Sequence, residues 1–134
     1  MAMTSVADTR ILLTLQFPPD ETIGDKIRIF IQKEMTHRVI LPSIVLSEFV
    51  KVAGSRIGIQ AALGTIRMLK ERGMKVRAID EELALEAGRL LLKHRTVPIA
   101  DCLIAAFTSS GIAEYVLSDD PHFKTLESKT RWFS

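Results

Sequence analysis

The sequence predicts an α/β domain with a central parallel sheet flanked by helices, and three observations carry that expectation. Short apolar, β-prone runs alternate with amphipathic stretches along the chain, the order expected when each strand is followed by a helix crossing back over the sheet. The stretch from Pro98 to Phe123 reads as helix, turn and strand in succession, ending in the polar loop Ser118-Asp119-Asp120-Pro121. Finally, 134 residues with 47% hydrophobic and 25% charged side chains suit one folded domain, 1–134, and exclude a disordered or fibrous chain.

Taken in order, Ser5-Val6-Ala7 is a short strand that ends at Asp8, a lone charge before the buried-looking segment Ile11 to Leu15. After the Phe17-Pro18-Pro19-Asp20 break, Ile23, Ile27, Phe30 and Ile31 recur at helical spacing, which predicts a helix from about Glu21 to Met35. Arg38 to Leu41 is the next strand, and Ser43 is placed to cap a helix running through Ala53 to a stop at Gly54. Ile57 to Arg72 predicts a further helix stopped by Gly73. Met74, Val76 and Ala78 alternate with Lys75 and Arg77 as in a half-exposed strand, and Asp80 caps a Glu81 to His94 helix. Pro98 opens the late helix and Gly111 stops it, so Asp101 falls in its first turn. Tyr115-Val116-Leu117 is the last predicted strand, and Asp120-Pro121 can cap a final short helix through Leu126.

Composition narrows the setting. The net charge of +2 is too small to argue for nucleic-acid binding by itself, although Arg56, Arg67, Lys70, Arg72, Lys75 and Arg77 make the middle of the chain basic. The single cysteine, Cys102, excludes an intramolecular disulfide and fits a reducing compartment. No run approaches the ~18 apolar residues of a membrane span, so the expectation is a cytoplasmic protein without a membrane partner.

The chemistry lies in the carboxylates. Asp8, Glu48, Asp101 and Asp120 each occupy a strand end or a helix beginning, and in a parallel sheet those positions share the edge where ligands bind. Acids packed together raise one another's pKa unless a cation neutralises them, and Mg²⁺ or Mn²⁺ is the natural partner of such an oxygen-rich set. Each acid also has an ordinary role open to it. Asp8 can end a strand in a turn, Glu48 can pair with Lys51, Asp101 can complement the helix dipole, and Asp120 can cap the last helix. Asp119 stands beside Asp120 as an alternative ligand. No single residue decides the matter; the shared edge does.

Asp8-Thr9 after a short strand, Ser47-Glu48-Phe49 in an early helix, Asp101-Cys-Leu-Ile-Ala-Ala106 opening a late one, and Leu117-Ser-Asp-Asp120-Pro-His-Phe123 together resemble the PIN-domain family, which includes the VapC-like toxins of toxin–antitoxin pairs. The similarity spans nearly the whole chain. It implies a three-layer α/β/α fold and a Mg²⁺- or Mn²⁺-dependent ribonuclease whose acids are Asp8, Glu48, Asp101 and Asp120, with Thr9 and Ser118 as hydroxyl supports. It also implies a homodimer, which the apolar residues of the Ile23 to Phe30 and Ile57 to Leu69 helices favour as well, and it leaves open whether an antitoxin is the partner. Two departures stand out: Arg10 where a small polar residue is usual, and the doubled Asp119-Asp120. Lys51, Arg56 and Lys124 are the cations expected to guide the RNA backbone. The alternatives are a non-catalytic module that binds RNA or protein, or an RNA-processing nuclease without an antitoxin.

Other signals carry less. Arg89 and His94 match the Arg-x4-His spacing of the HEPN ribonucleases, but that family is all-helical. A phosphoacceptor receiver wants an acidic pair after its first strand, where only Asp8 stands. His37, His94 and His122 show no ligand spacing and are read as structural, and no phosphate-cradling Gly-Lys-Ser/Thr loop is present.

Overall fold

A computed structural model describes residues 3–133. Its sheet has five parallel strands in the order β3-β2-β1-β4-β5: β1 (Thr4–Ala7), β2 (Arg38–Pro42), β3 (Lys75–Arg77), β4 (Tyr115–Leu117) and β5 (Thr130–Arg131). Helices α1 (Thr9–Gln16), α2 (Glu21–Glu34), α3 (Ser43–Ile57), α4 (Ile59–Glu71), α5 (Glu81–Lys93), α6 (Ile99–Ser109) and α7 (His122–Thr125) cover it in a three-layer α/β/α arrangement. The central strands β2, β1 and β4 are short apolar runs, as strands buried on both faces should be. Outermost β3 is exposed, and Lys75 and Arg77 place charge on an edge that would otherwise invite pairing.

Register fixes the position of the site. Val6 pairs with Ile40 and Ala7 with Leu117, so β1, β2 and β4 end side by side, and their chains enter Asp8, Ser43 and Ser118 at one edge. Phe49, Phe107 and Phe123 are the largest side chains of the core, all fully buried. Burying a side chain of that size contributes roughly 1.5–3 kcal/mol, and Asp8, Glu48, Asp101 and His122 each have a buried chain neighbour as an anchor. Ala7 precedes Asp8, Phe49 follows Glu48, Cys102 follows Asp101 and Phe123 follows His122, each anchor buried.

Two local expectations are corrected, the stop of the third helix and the role of Ser43, and two elements are new, α1 and β5. The segment after Asp8 is helix α1, because Asp8 takes an extended backbone and accepts the Thr9 N–H while Ile11 and Leu12 turn into the core. Helix α3 runs through Gly54 to Ile57 and stops at Gly58, whose φ of 88° suits glycine. Ser43 is the first residue of α3 and does not cap it; its Oγ instead accepts the Ile79 N–H at 3.2 Å, tying α3 to the chain beyond β3. Strand β5 has no counterpart among the sequence expectations, being two residues long and set by long-range pairing with Val116 and Leu117. Asp80 and Asp20 do cap α5 and α2, accepting the Leu83 and Ile23 amides.

Candidate active site

Asp8 is the innermost acid, 3% exposed where β1 gives way to α1. One of its oxygens accepts the Thr9 amide at 2.8 Å and the other accepts the Ser118 hydroxyl at 2.7 Å. Burial raises its carboxyl from the ordinary 3.8 to about 6, the two hydrogen bonds oppose the rise, and the Asp101 and Asp120 charges add to it. Ser118 is itself buried and also accepts the Asp120 amide at 3.0 Å, so a single hydroxyl joins the first strand's acid to the last strand's loop.

Glu48 is held from the same turn, its Oε1 accepting the Thr9 hydroxyl at 2.6 Å. Asp101, in the first turn of α6, is pushed up first by burial, against the His122 hydrogen bond, with the Asp120 and Glu48 charges adding to the rise. Its Oδ2 lies 2.7 Å from His122 Nδ1, and that nitrogen is 3.3 Å from Asp120 Oδ1. Asp120 also accepts the His122 amide at 3.0 Å. The structure thus brings Asp8, Glu48, Asp101 and Asp120 to one edge, and Thr9 and Ser118 each donate a hydrogen bond to one of them.

Asp119 lies apart from that inner group. Its carboxylate is about half exposed and 3.3 Å from Arg10 Nη1, which is 3.9 Å from Asp120 Oδ2. Of the cations expected to guide RNA, Lys51 is exposed on α3, and Lys124 is exposed on the short α7 that begins with His122. Arg56 sits in the last turn of α3 over the Phe17 ring, 4.3 Å from its centroid, about 12 Å along the helix axis from Glu48 at 1.5 Å per residue.

His122 is the residue that sequence reasoning missed: it is read there as structural, yet its ring lies between two of the acids. The available signal was its position two residues after Asp120, where a short turn can fold the imidazole back. Asp101, Asp120 and His122 each offer one ligand atom, and these atoms all lie within 4.8 Å of one another. Two carboxylate oxygens and an imidazole nitrogen fit a divalent ion, and the oxygen-rich edge around them fits Mn²⁺ or Mg²⁺.

The sequence profile described as the PIN domain matches residues 5–129. No curated protein sequence matches the chain significantly. Among solved structures, the Mycobacterium tuberculosis toxin VapC20, described as cleaving the sarcin-ricin loop, superposes with a TM-score of 0.75 at 19% identity, covering 92% of this chain and 95% of that one. VapBC2 from Rickettsia felis, bound to a promoter DNA fragment, gives 0.74 at 14% identity over 98% and 100% of the two chains. DNA-bound VapBC from Salmonella typhimurium gives 0.74 at 18% identity over 97% and 98%. With the profile spanning all but the chain's ends and the fold shared throughout, the chain belongs to the PIN domain family.

Proposed function

We propose that the chain is a Mg²⁺- or Mn²⁺-dependent endoribonuclease, the toxin of a VapBC-type toxin–antitoxin pair. The observation that carries this reading is the convergence of Asp8, Glu48, Asp101 and Asp120, with Asp8 almost fully buried and, among the described residues, no Lys or Arg hydrogen-bonded to it. Such a set is costly unless a cation joins it, and in phosphodiester chemistry a bound divalent ion supplies a more acidic water and stabilises the charge that develops. Asp101 and Asp120 would hold the ion with His122. Thr9 and Ser118 fix the rotamers of Glu48 and Asp8. Burial and the neighbouring acids raise the Asp8 carboxyl to about 6 in the metal-free protein, which is the cost that a bound cation would relieve.

The antitoxin partner rests on the family and on the complexes in which related folds are found. A cleft of about 720 Å³ lined by Leu15, Ile31, Met35, Met68 and Leu69, with Arg28 and Arg72 also present, would suit an apolar segment carrying acidic residues. Exposed Ile57, Ile59 and Leu63, where α3 meets α4, support a homodimer. Among the described residues no helix is long and apolar enough to cross a membrane. Cleavage of a structured RNA that requires Mn²⁺ and is lost in Asp101→Asn tests the nuclease; a parent protein inactive with either metal contradicts it.

A further inference from the structure

We propose that Arg10 is a substrate-binding residue: held by Asp119 at the mouth of the acidic site, its guanidinium takes a backbone phosphate of the RNA strand beside the one being cleaved. The inference rests on the nuclease reading and adds to Lys51, Arg56 and Lys124 a cation carried by the Asp8 turn itself and paired with Asp119 and Asp120.

Arg10 belongs to the same turn that carries Asp8 and Thr9, so its backbone is as well positioned as theirs, while its side chain is half exposed. Among the described residues its ion pairs within 4 Å run from Nη1 alone, to Asp119 at 3.3 Å and to Asp120 at 3.9 Å. The guanidinium therefore leans toward the outer acid, and Nε and Nη2 make no hydrogen bond to the described protein. A planar fork tethered at one nitrogen keeps donors in the geometry that phosphate oxygens accept, which a lysine ammonium cannot reproduce. Asp119 has no hydrogen bond to Asp8, Glu48, Asp101 or His122, and its role follows: it orients Arg10. The rival role for Arg10, neutralising the inner acids in place of a metal, fits the distances less well. His122, not Arg10, stands between Asp101 and Asp120.

The experiment has two arms. In single-turnover cleavage with Mn²⁺, Arg10→Ala should raise the RNA concentration for half-maximal rate about 10-fold with the maximal rate within a few-fold, the signature of lost ground-state binding; Arg10→Lys should recover only part of it. In metal-free binding of a labelled single-stranded RNA, where nothing is cleaved, Arg10→Ala should reduce the log–log salt slope by about 0.7, one phosphate contact, and Asp119→Asn by less. The Mn²⁺-induced rise in melting temperature should match the parent's in Arg10→Ala, which also shows that the variant folds. Unchanged RNA dependence and salt slope would overturn the role of Arg10, as would a larger Mn²⁺ shift, which assigns Arg10 to self-neutralisation. Failure of the parent to cleave RNA would remove the nuclease reading, while the salt slope still decides whether Arg10 meets an RNA phosphate.

Discussion

Glu34 and Asp8 are both almost fully buried, 2% and 3% exposed, and the fold treats them in opposite ways. Glu34, at the end of α2, receives Arg131 from β5, with Nε 2.6 Å from its Oε1. Arg131 also lies over the Tyr115 ring, so its cation is fixed on two sides. Asp8, beyond the far end of β1, receives an amide and a hydroxyl and is surrounded by further acids. One carboxylate is neutralised from within the chain; the other is dissolved only in dipoles and leaves room for an external cation. Burial alone therefore does not mark a functional acid; whether a cation of the chain itself meets it does.

That contrast yields predictions of graded size. Asp101→Asn keeps the volume of a residue in the inner group and should cut RNA cleavage by two orders of magnitude or more, about 2.7 kcal/mol in the barrier, with an unchanged circular dichroism spectrum. At the other end of the sheet, Glu34→Gln leaves Arg131 without its charge partner. We expect a loss of about 2 kcal/mol in urea unfolding, below the range for fully buried pairs because Arg131 is 41% exposed and can turn to water.

Asp8→Asn should have the opposite sign. The folded-state pKa of Asp8, about 6, lies above its unfolded value near 3.8, so the folded protein binds more protons between those limits. Metal-free stability then falls as pH rises through about 4 to 6 and stays reduced above, by at most about 3 kcal/mol from this group. The raised carboxyl of Asp101 acts in the same direction. Asn forgoes the charge but weakens the Ser118 hydrogen bond, so a gain of about 1–2 kcal/mol at pH 7 is expected, with a flatter pH profile between 4 and 6. Thermal melts of both proteins at pH 5 and pH 7.5 read this directly.

Much of this architecture is legible in the sequence. Helices α2 and α5 declare themselves through apolar spacing, α5 also through its cap Asp80, and β4 is bounded as the Tyr115-Val116-Leu117 run suggests. Helix α1 is hidden because Ile11, Leu12, Leu13 and Leu15 form a near-continuous apolar run in which period 3.6 cannot be told from a buried strand. Gly54 looks like a stop but is tolerated inside α3, since propensity yields to packing over one residue. The places of Asp8, Glu48, Asp101 and Asp120 at strand ends and helix starts follow from the pattern. Their partners do not, because Ser118 reaches Asp8 across 110 residues of sequence and His122 reaches Asp101 across 21. Asp20 and Asp80 show the limit most plainly: they too are acids at helix starts, and each is a cap and nothing more is seen at it.

The central claim is that the inner acids bind a divalent cation, and the most direct measurement is the melting temperature of the parent, Asp120→Asn and Asp119→Asn with and without Mn²⁺. At about 100 times its dissociation constant the metal should stabilise the parent by roughly 2.7 kcal/mol, several degrees for a domain of this size. Asp120→Asn, whose side-chain oxygen can still accept the His122 amide, should melt higher than the parent without metal and lose most of the Mn²⁺ shift. Asp119→Asn, which changes only the tether of Arg10, should keep that shift. Full retention of the parent's shift by Asp120→Asn, or no shift in the parent, would contradict the account.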